Sequence, residues 1–146
     1  MIAVDTNVLV YAHREDSTFH ETASRYLTEL AEGPQTWAIP WPCVHEFLAI
    51  VTHPAIYSPP TPLKRALEQV GAWLESPTLR LLTESELYWP TLRTLLANGR
   101  IFGPKIHDAR IAALCKEHHV RELWSADRDF SRLQVIAVRN PLVQTR

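Results

Sequence analysis

The feature that most constrains the fold is the alternation of short apolar segments with amphipathic ones. Apolar runs predict five strands, at residues 1–5, 36–39, 79–82, 122–125 and 134–138. The segments between most of them carry apolar residues at helical spacing. Strands that alternate with helices indicate an α/β fold with a mostly parallel sheet covered on both faces. In such sheets, ligands bind at the carboxyl ends of the strands, near the point where the strand order reverses.

Two capping patterns predict where helices begin. Thr18 and Glu21 have the spacing of a capping box, and the helix after them is expected to end at Gly33. Thr83 and Glu86 repeat that spacing and predict a helix to about residue 98.

Two further helices are predicted from their apolar residues. Thr61 can cap the helix that follows it, and the apolar stripe of that helix is made of Leu63, Leu67, Val70 and Leu74. The segment 105–119 has four residues that are expected to face inward: Ile106, Ala109, Ala113 and Leu114. Another helix is predicted to begin near Pro42 and to end before Pro54.

Size and composition are those of an ordinary globular domain, which we expect to span residues 1–146. Hydrophobic residues make up 46% of the chain and charged residues 21%. No apolar run is long enough to cross a bilayer, and the first residues lack the basic segment of a secretion signal. The two cysteines, Cys43 and Cys115, fit a reducing compartment and are expected to be small core residues. We therefore expect a cytoplasmic protein with no membrane contact.

Charge is distributed unevenly along the chain. Residues 100–146 hold nine Lys and Arg against five Asp and Glu, whereas residues 1–99 hold six against eleven. Two interpretations fit this difference: scatter over a solvated surface, or a basic flank beside an acidic centre that attracts a polyanion.

Acidic residues stand where the predicted sheet would bind a ligand. Asp5 follows the first strand, and Asp127 follows the fourth, with Asp129 two residues later. Asp108 lies in the first turn of a helix, and Glu46 lies inside the apolar stretch "CVHEFLAIV". An unpaired carboxylate is expensive to bury, so each of these needs a partner or a function.

Each acid has a structural explanation when it is taken alone. Asp108 favours a helix N-terminus, Asp127 can cap a turn, and Asp5 can cap a helix that starts at Thr6. Glu46 could pair with an arginine or with His45. Taken together these explanations weaken, because two carboxylates about 4 Å apart repel by roughly 4 kcal/mol at an effective dielectric constant of about 20. Several at one rim require protons or a cation, and oxygen ligands suit Mg²⁺ or Mn²⁺.

Four motifs carry a resemblance to a known family. The stretches "AVDTNVLVYA", "CVHEFLAIVTHP", "KIHDARIAALC" and "LWSADRDFSR" resemble, in order and spacing, the acidic motifs of PIN-domain ribonucleases, and of VapC toxins in particular. The resemblance covers essentially the whole chain. It implies a three-layer α/β/α sandwich with a five-stranded, mostly parallel sheet.

The resemblance also implies a function and a set of site residues. The function is a Mg²⁺- or Mn²⁺-dependent endoribonuclease that acts as the toxin of a toxin–antitoxin module. The catalytic and metal-binding acids are Asp5, Glu46, Asp108 and Asp127, with Asp129 as an auxiliary ligand. Three residues would support them, namely Thr6 or Asn7, which orient Asp5, and Ser125. The implied partners are an RNA substrate, a second copy of the chain and a VapB-type antitoxin that forms a hetero-oligomer and blocks the acidic groove.

Basic and aromatic residues near the acids are weaker candidates for RNA contacts. Four cations flank the acidic positions and are either contacts to the RNA backbone or solvated charges: Lys105, Arg110, Arg128 and Arg132. Trp41 or Trp124 could stack on a base, although core packing is the commoner role of tryptophan.

Three other functions remain open at the level of sequence. The seven histidines allow a metal-independent ribonuclease with acid–base chemistry, which would leave a 2′,3′-cyclic phosphate. Asp5 could be the nucleophile of a phosphatase, although such enzymes usually carry a second aspartate where this chain has Asn7. A non-catalytic α/β binding module would use the acids only as caps and ion pairs.

Overall fold

Five short parallel strands form one sheet. The computed structural model describes residues 1–143, except for the side chains of residues 131 and 132. The strands are β1 (Ile2–Val4), β2 (Trp37–Pro40), β3 (Leu79–Leu82), β4 (Glu122–Trp124) and β5 (Ala137–Arg139). Their order across the sheet is β3-β2-β1-β4-β5, and every pairing is parallel. The predicted α/β fold with a five-stranded parallel sheet is confirmed.

Six α-helices cover the sheet in the described part of the chain. They are α1 (Thr6–His13), α2 (His20–Glu32), α3 (Trp41–Val51), α4 (Leu63–Leu74), α5 (Tyr88–Gly99) and α6 (Ile106–Glu117). The first four pack on one another as a series, and α5 packs against α6. Two 3₁₀ helices, Gly103–Lys105 and Arg128–Leu133, follow α5 and β4. Within residues 1–143, no helix combines the length and the apolar character needed to cross a membrane.

The strand order reverses between β1 and β4, which lie side by side at the centre of the sheet. Val4 is in register with Trp124, and the backbone amide of Asp5 donates to the Trp124 carbonyl at 2.9 Å. The chain leaves β1 toward one edge of the sheet and continues from β4 toward the other, which opens a crevice at their carboxyl ends. Residues 5 and 125 therefore stand next to each other at this crevice.

Aromatic side chains fill the core. Phe47 is fully buried and meets the Trp73 ring edge-on, with ring centroids 4.8 Å apart. Trp124 is 5% exposed and packs against Tyr26, so it has the core role rather than a role in base stacking. Trp41 is 37% exposed and lies beside His45. Core packing of this kind supports the helices more strongly than helix propensity does.

Neither predicted capping box forms. The second helix begins at His20, where Ser17 accepts the backbone amide of Phe19 at 3.1 Å, and Thr18 caps nothing. The fifth helix begins at Tyr88, because Ser85 likewise accepts the amide of Leu87 at 3.2 Å and holds the chain in a turn. In both places a serine turn replaces the threonine cap, so the helices start later than their sequence pattern predicts.

Two further elements, one helix and one strand, differ from what the sequence predicts. The sequence suggested a helix starting at Thr6 only as one that Asp5 could cap. The structure has this helix, α1. The fifth strand begins at Ala137 rather than at residue 134, because Gln134 adopts a left-handed conformation (φ 50°) that ends the preceding 3₁₀ helix.

Three of the four residues in the apolar stripe predicted for α4 point to solvent, and the fourth, Val70, packs against the core as predicted. Leu63, Leu67 and Leu74 are 61%, 52% and 46% exposed, whereas Ala66 and Trp73 are buried. The helix is rotated because Trp73, the largest side chain on it, fits beside Phe47. Thr61 caps no helix, since its hydroxyl bonds His13 at 3.1 Å.

One residue of α6 also differs from its prediction. Ile106 begins the helix and is 38% exposed, whereas Ala109, Ala113 and Leu114 are buried as predicted. A residue in the first position of a helix lies at its end, where fewer neighbouring elements can cover it.

The rotation of α4 predicts unequal effects for two substitutions on the same helix. We expect Trp73→Ala to lower the free energy of unfolding by about 3–5 kcal/mol, because it empties a packed site. Leu67→Gln should change it by less than about 0.5 kcal/mol, because the side chain is already in water. Urea denaturation followed by circular dichroism measures both. Similar losses in the two variants would contradict the observed orientation of the helix.

Candidate active site

Three aspartates form a cluster beside the crevice. One carboxylate oxygen from each of Asp108, Asp127 and Asp129 lies within 4.8 Å of those of the other two. Asp108 is in the first turn of α6, whereas Asp127 and Asp129 follow β4. We call this group the aspartate trio. Asp108 is 19 residues before Asp127 and 21 before Asp129 in the sequence, so it is the fold that brings the three together.

The turn after β4 fixes two members of the trio relative to each other. Asp127 caps the 3₁₀ helix by accepting the backbone amide of Asp129 at 2.8 Å. The predicted capping role of Asp127 is therefore present, and it coexists with membership of the cluster. The cap holds two carboxylates side by side although they repel.

Asp5 lies deeper than the trio and has two side-chain donors. It is 4% exposed. Its Oδ2 accepts a hydrogen bond from the Ser125 hydroxyl at 2.7 Å, and its Oδ1 is 3.6 Å from the Cys43 thiol, a weak donor. Asp5 precedes α1, yet its side chain makes no helix-capping hydrogen bond. Capping therefore does not account for this carboxylate.

Burial makes the charge of Asp5 costly. The pKa of Asp5 is raised from 3.8 to about 6, mainly by burial and in smaller part by the negative charge of Glu46. The hydroxyl of Ser125, the backbone amide of Thr6 and the thiol of Cys43 oppose the shift. Among the described residues, no lysine or arginine forms an ion pair with Asp5.

Glu46 faces the same crevice from α3. It is half-buried, and its Oε2 accepts a hydrogen bond from the Thr6 hydroxyl at 2.6 Å. The side chain of Thr6 therefore orients Glu46, whereas the backbone amide of Thr6 bonds Asp5, the residue it was predicted to orient. The alternative partner His45 is exposed and lies beside Trp41.

Electrostatic coupling links the trio to the deeper acids. Burial raises the pKa of Asp108, and the charges of Asp127, Asp129 and Glu46 raise it further, in that order. Glu46 in turn raises the pKa of Asp5. The five acids therefore behave as one group in which each negative charge disfavours the next.

Ser125 joins the two strands at the centre of this group. Its hydroxyl donates to Asp5 and accepts the backbone amide of Asp127 at 3.0 Å. Asn7 reinforces the joint, since its Oδ1 accepts the Ala126 amide at 3.1 Å and its Nδ2 lies 3.5 Å from the Ser125 oxygen. Sequence reasoning assigned Cys43 only a packing role, because nothing in the pattern showed that its thiol meets Asp5.

Comparison with known proteins identifies the family. The PIN domain family matches residues 2–136. The chain belongs to the PIN-domain family. Among relatives, Ribonuclease VapC43 of Mycobacterium tuberculosis is 34% identical over 142 residues, which cover 97% of this chain and 96% of that protein. Ribonuclease VapC48 of the same organism is 31% identical over 137 residues, 94% of each chain. The resemblance noted in the sequence is thereby confirmed.

Solved structures share the fold of this PIN domain. VapBC2 from Rickettsia felis, bound to a DNA fragment from its promoter, aligns with a TM-score of 0.66 and 23% identity over 96% of this chain and 98% of the other. VapC20 of Mycobacterium tuberculosis, described as a toxin that cleaves the sarcin–ricin loop, aligns with a TM-score of 0.67 and 18% identity over 96% and 100%. These likenesses establish the fold alone.

The donor set of the PIN domain fits a hard divalent cation. The trio offers carboxylate oxygens only. Burial raises the pKa of Asp108, and so do the negative charges of Asp127 and Asp129, which would also attract a cation. Oxygen donors of this kind suit Mg²⁺ or Mn²⁺ rather than zinc or copper, which favour nitrogen and sulfur. Asp108, Asp127 and Asp129 could therefore hold such an ion, with Asp5 and Glu46 behind them.

The cations predicted to contact RNA have different environments. Arg110 forms an ion pair with Glu84, with Nη2 and Oε1 3.6 Å apart, so part of its charge is already matched. Lys105 is exposed and lines an open cleft of about 360 Å³ that also includes Asp108 and Asp129. Arg128 is exposed at the start of the 3₁₀ helix after β4. The side chain of Arg132 lies outside the described residues.

The pKa of Asp5 predicts that its removal stabilises the metal-free protein. Folding raises this pKa from 3.8 to about 6. The penalty is therefore absent below pH 3.8, grows between 3.8 and about 6, and is complete above that range. Asp5→Asn should raise the free energy of unfolding at neutral pH, with EDTA present, by up to about 3 kcal/mol.

Urea denaturation at several pH values measures this difference. The gain should shrink toward zero as the pH falls to 3.8. Asp16→Asn is the matched control, because Asp16 is exposed and its pKa is lowered by Arg14, so its removal should give no gain. A loss of stability in Asp5→Asn at neutral pH would contradict the account of a strained buried charge.

Proposed function

We propose that this PIN domain is a Mg²⁺- or Mn²⁺-dependent endoribonuclease that hydrolyses phosphodiester bonds of RNA. The observation that carries the proposal is the aspartate trio at the crevice, backed by Asp5 and Glu46. The lysine and arginine ion pairs seen among the described side chains, Arg14–Asp16, Lys64–Glu68 and Arg110–Glu84, involve other acids. The naming of its relatives VapC43 and VapC48 as ribonucleases supports RNA as the substrate.

The proposed catalytic acids are Asp5, Glu46, Asp108 and Asp127, with Asp129 as an auxiliary ligand. A divalent cation bound there supplies Lewis-acid polarisation of a phosphodiester and lowers the pKa of an attacking water. In-line attack by water leaves a 5′-phosphate and a 3′-hydroxyl. The proximity of Asp108, Asp127 and Asp129 supports their part in the site. The part of Glu46 and Asp5 is supported by the charge of Glu46, which raises the pKa of both Asp5 and Asp108.

The residues behind the acids would hold them in place before substrate arrives. Ser125 fixes one oxygen of Asp5 and also the backbone of Asp127, and Thr6 fixes Glu46. Carboxylates that are already oriented need little rearrangement when charge develops at a phosphate. Ser125, Thr6 and Asn7 are therefore proposed as positioning residues.

We extend the proposal to the biological role, which is that of a toxin with a VapB-type antitoxin as protein partner. Support comes from the solved neighbours, which include VapBC assemblies and FitAB bound to a DNA fragment. FitAB aligns with a TM-score of 0.69 and 19% identity over 100% of this chain and 99% of the other. A homodimer and a cytoplasmic location belong to the same proposal.

Histidine chemistry receives no support from the observed placement of the imidazoles. His13 bonds Gln69 and Thr61, and His118 bonds the Thr83 carbonyl at 2.8 Å. A metal-independent ribonuclease needs two such groups converging on one phosphate. The rings of His13 and His118 serve instead to tie separate segments together.

Substitution of Asp108 tests the proposed reaction. Asp108→Asn should reduce Mn²⁺-dependent cleavage of RNA by about a hundredfold or more, because it removes a charge from the ion's ligands. Glu68→Gln, a change at an exposed acid on α4, is the matched control and should cleave normally. The assay follows total RNA on a gel and determines the chemistry of the new ends.

Two outcomes would contradict the proposal. One is full activity in Asp108→Asn with an unchanged circular dichroism spectrum. The other is wild-type cleavage that survives EDTA and leaves a 2′,3′-cyclic phosphate, which would favour histidine chemistry instead.

A further inference from the structure

An exposed aromatic ring stands on the wall of the cleft beside the aspartate trio. The cleft of about 360 Å³ lies between the α5–α6 connection and the acids Asp108 and Asp129. Phe102 lines it and is 81% exposed, the highest value among the exposed large hydrophobic residues of the described chain. A volume near 360 Å³ is at the small end of the range for ligand sites, and it suits a single nucleotide better than a duplex.

The backbone of the connection holds this ring outside the domain. Residue 101 faces inward, where Ile101 packs on the small core between α5 and α6. Phe102 follows in an extended conformation (φ −148°, ψ 167°), so its side chain points the opposite way. The exposure of Phe102 therefore follows from the anchoring of its neighbour.

Left-handed residues on either side define the shape of the connection. Arg100 has φ 51° and Gly103 has φ 64°. At Gly103 an added Cβ would meet nothing within 4 Å, so glycine is favoured there by the backbone angle and not by crowding. The connection therefore turns at Arg100 and again at Gly103, and these two turns fix the position of the backbone that carries the Phe102 ring.

Cations and acids line the cleft on different segments. Arg100 and Lys105 flank Phe102 in the α5–α6 connection, whereas Asp108 and Asp129 belong to the trio. Neither cation forms a salt bridge with a described acid. A ligand with an apolar face and a phosphate backbone would match this side of the cleft, because its apolar face could contact Phe102 and its phosphates could contact Arg100 and Lys105. From there one of its phosphates would reach the trio.

We propose that Phe102 stacks on a base of single-stranded RNA next to the phosphate that is cleaved, with Arg100 and Lys105 contacting the neighbouring backbone. This inference rests on the proposed ribonuclease function and adds a nucleotide subsite to it. Stacking on an aromatic ring is a common mode of binding unpaired bases and tolerates every base, because each has a π face. The subsite would therefore strengthen binding without setting the sequence that is cleaved.

A nucleotide accounts for the surroundings of Phe102 better than an apolar protein segment does. Two cations flank the ring and two carboxylates line the same cleft, so an apolar partner would bury charges without matching them. The phosphates of RNA match the cations, and its bases match the ring.

Binding of a labelled RNA tests the subsite separately from cleavage. The probe is a short fluorescein-labelled oligo(A) RNA, and fluorescence anisotropy is measured with Ca²⁺ in place of Mn²⁺, with a gel to show that the RNA stays intact. Phe102→Ala should weaken binding by about tenfold or more. Phe102→Trp should bind like the wild type, whereas Phe102→Leu, which keeps an apolar side chain but loses the ring, should bind weakly.

Trp89→Ala is the matched control, because Trp89 is also aromatic and 62% exposed but does not line the cleft. In Mn²⁺, Phe102→Ala should raise KM for RNA more than it lowers kcat. Wild-type affinity in Phe102→Ala, or an equal loss in Trp89→Ala, would overturn the subsite and leave the ring as a contact for a protein. If the wild type neither binds the probe nor cleaves RNA with Mn²⁺, the ribonuclease proposal fails together with the subsite.

Discussion

The central pairing of β1 with β4 determines where the chemistry of this molecule is located. Because Val4 is in register with Trp124, the next residues on the two strands meet at the sheet edge, and Ser125 can donate to Asp5 at 2.7 Å. The same hydroxyl accepts the amide of Asp127, so one serine connects a buried carboxylate to the turn that carries two members of the aspartate trio. A shift of one residue in this register would turn Asp5 and Ser125 to opposite faces of the sheet.

The site stores an electrostatic penalty that a cation would relieve. Folding buries Asp5 and part of Asp108 and brings the charge of Glu46 near both, and the pKa values of the two aspartates rise as a result. Hydrogen bonds from Ser125 and Thr6 orient the acids but do not cancel their charge. An ion that binds only the folded state would therefore stabilise the protein as well as take part in its chemistry. Stability and function are linked through the same five carboxylates.

Sequence patterns predicted the sheet and the acids better than they predicted the surfaces of helices. Short apolar runs predicted all five strands, and the signal has a clear cause in β1, β2 and β4, because buried parallel strands are apolar on both faces. Helical spacing placed Leu63 and Leu67 in the core, where tertiary packing put Trp73 instead, since one large ring outweighs a stripe of leucines. The role of Cys43 beside Asp5 and the exposure of Phe102 depend on contacts between distant segments, and no local pattern encodes them.

Crystals grown with Mn²⁺ give the most direct test of the claim that the fold gathers these acids into a cation site. Anomalous scattering from manganese locates the ion without reference to activity. The account predicts a strong anomalous peak in direct contact with carboxylate oxygens of the aspartate trio. A map with no peak at the trio, and with its carboxylates paired instead to arginine, lysine or backbone amides, would contradict it.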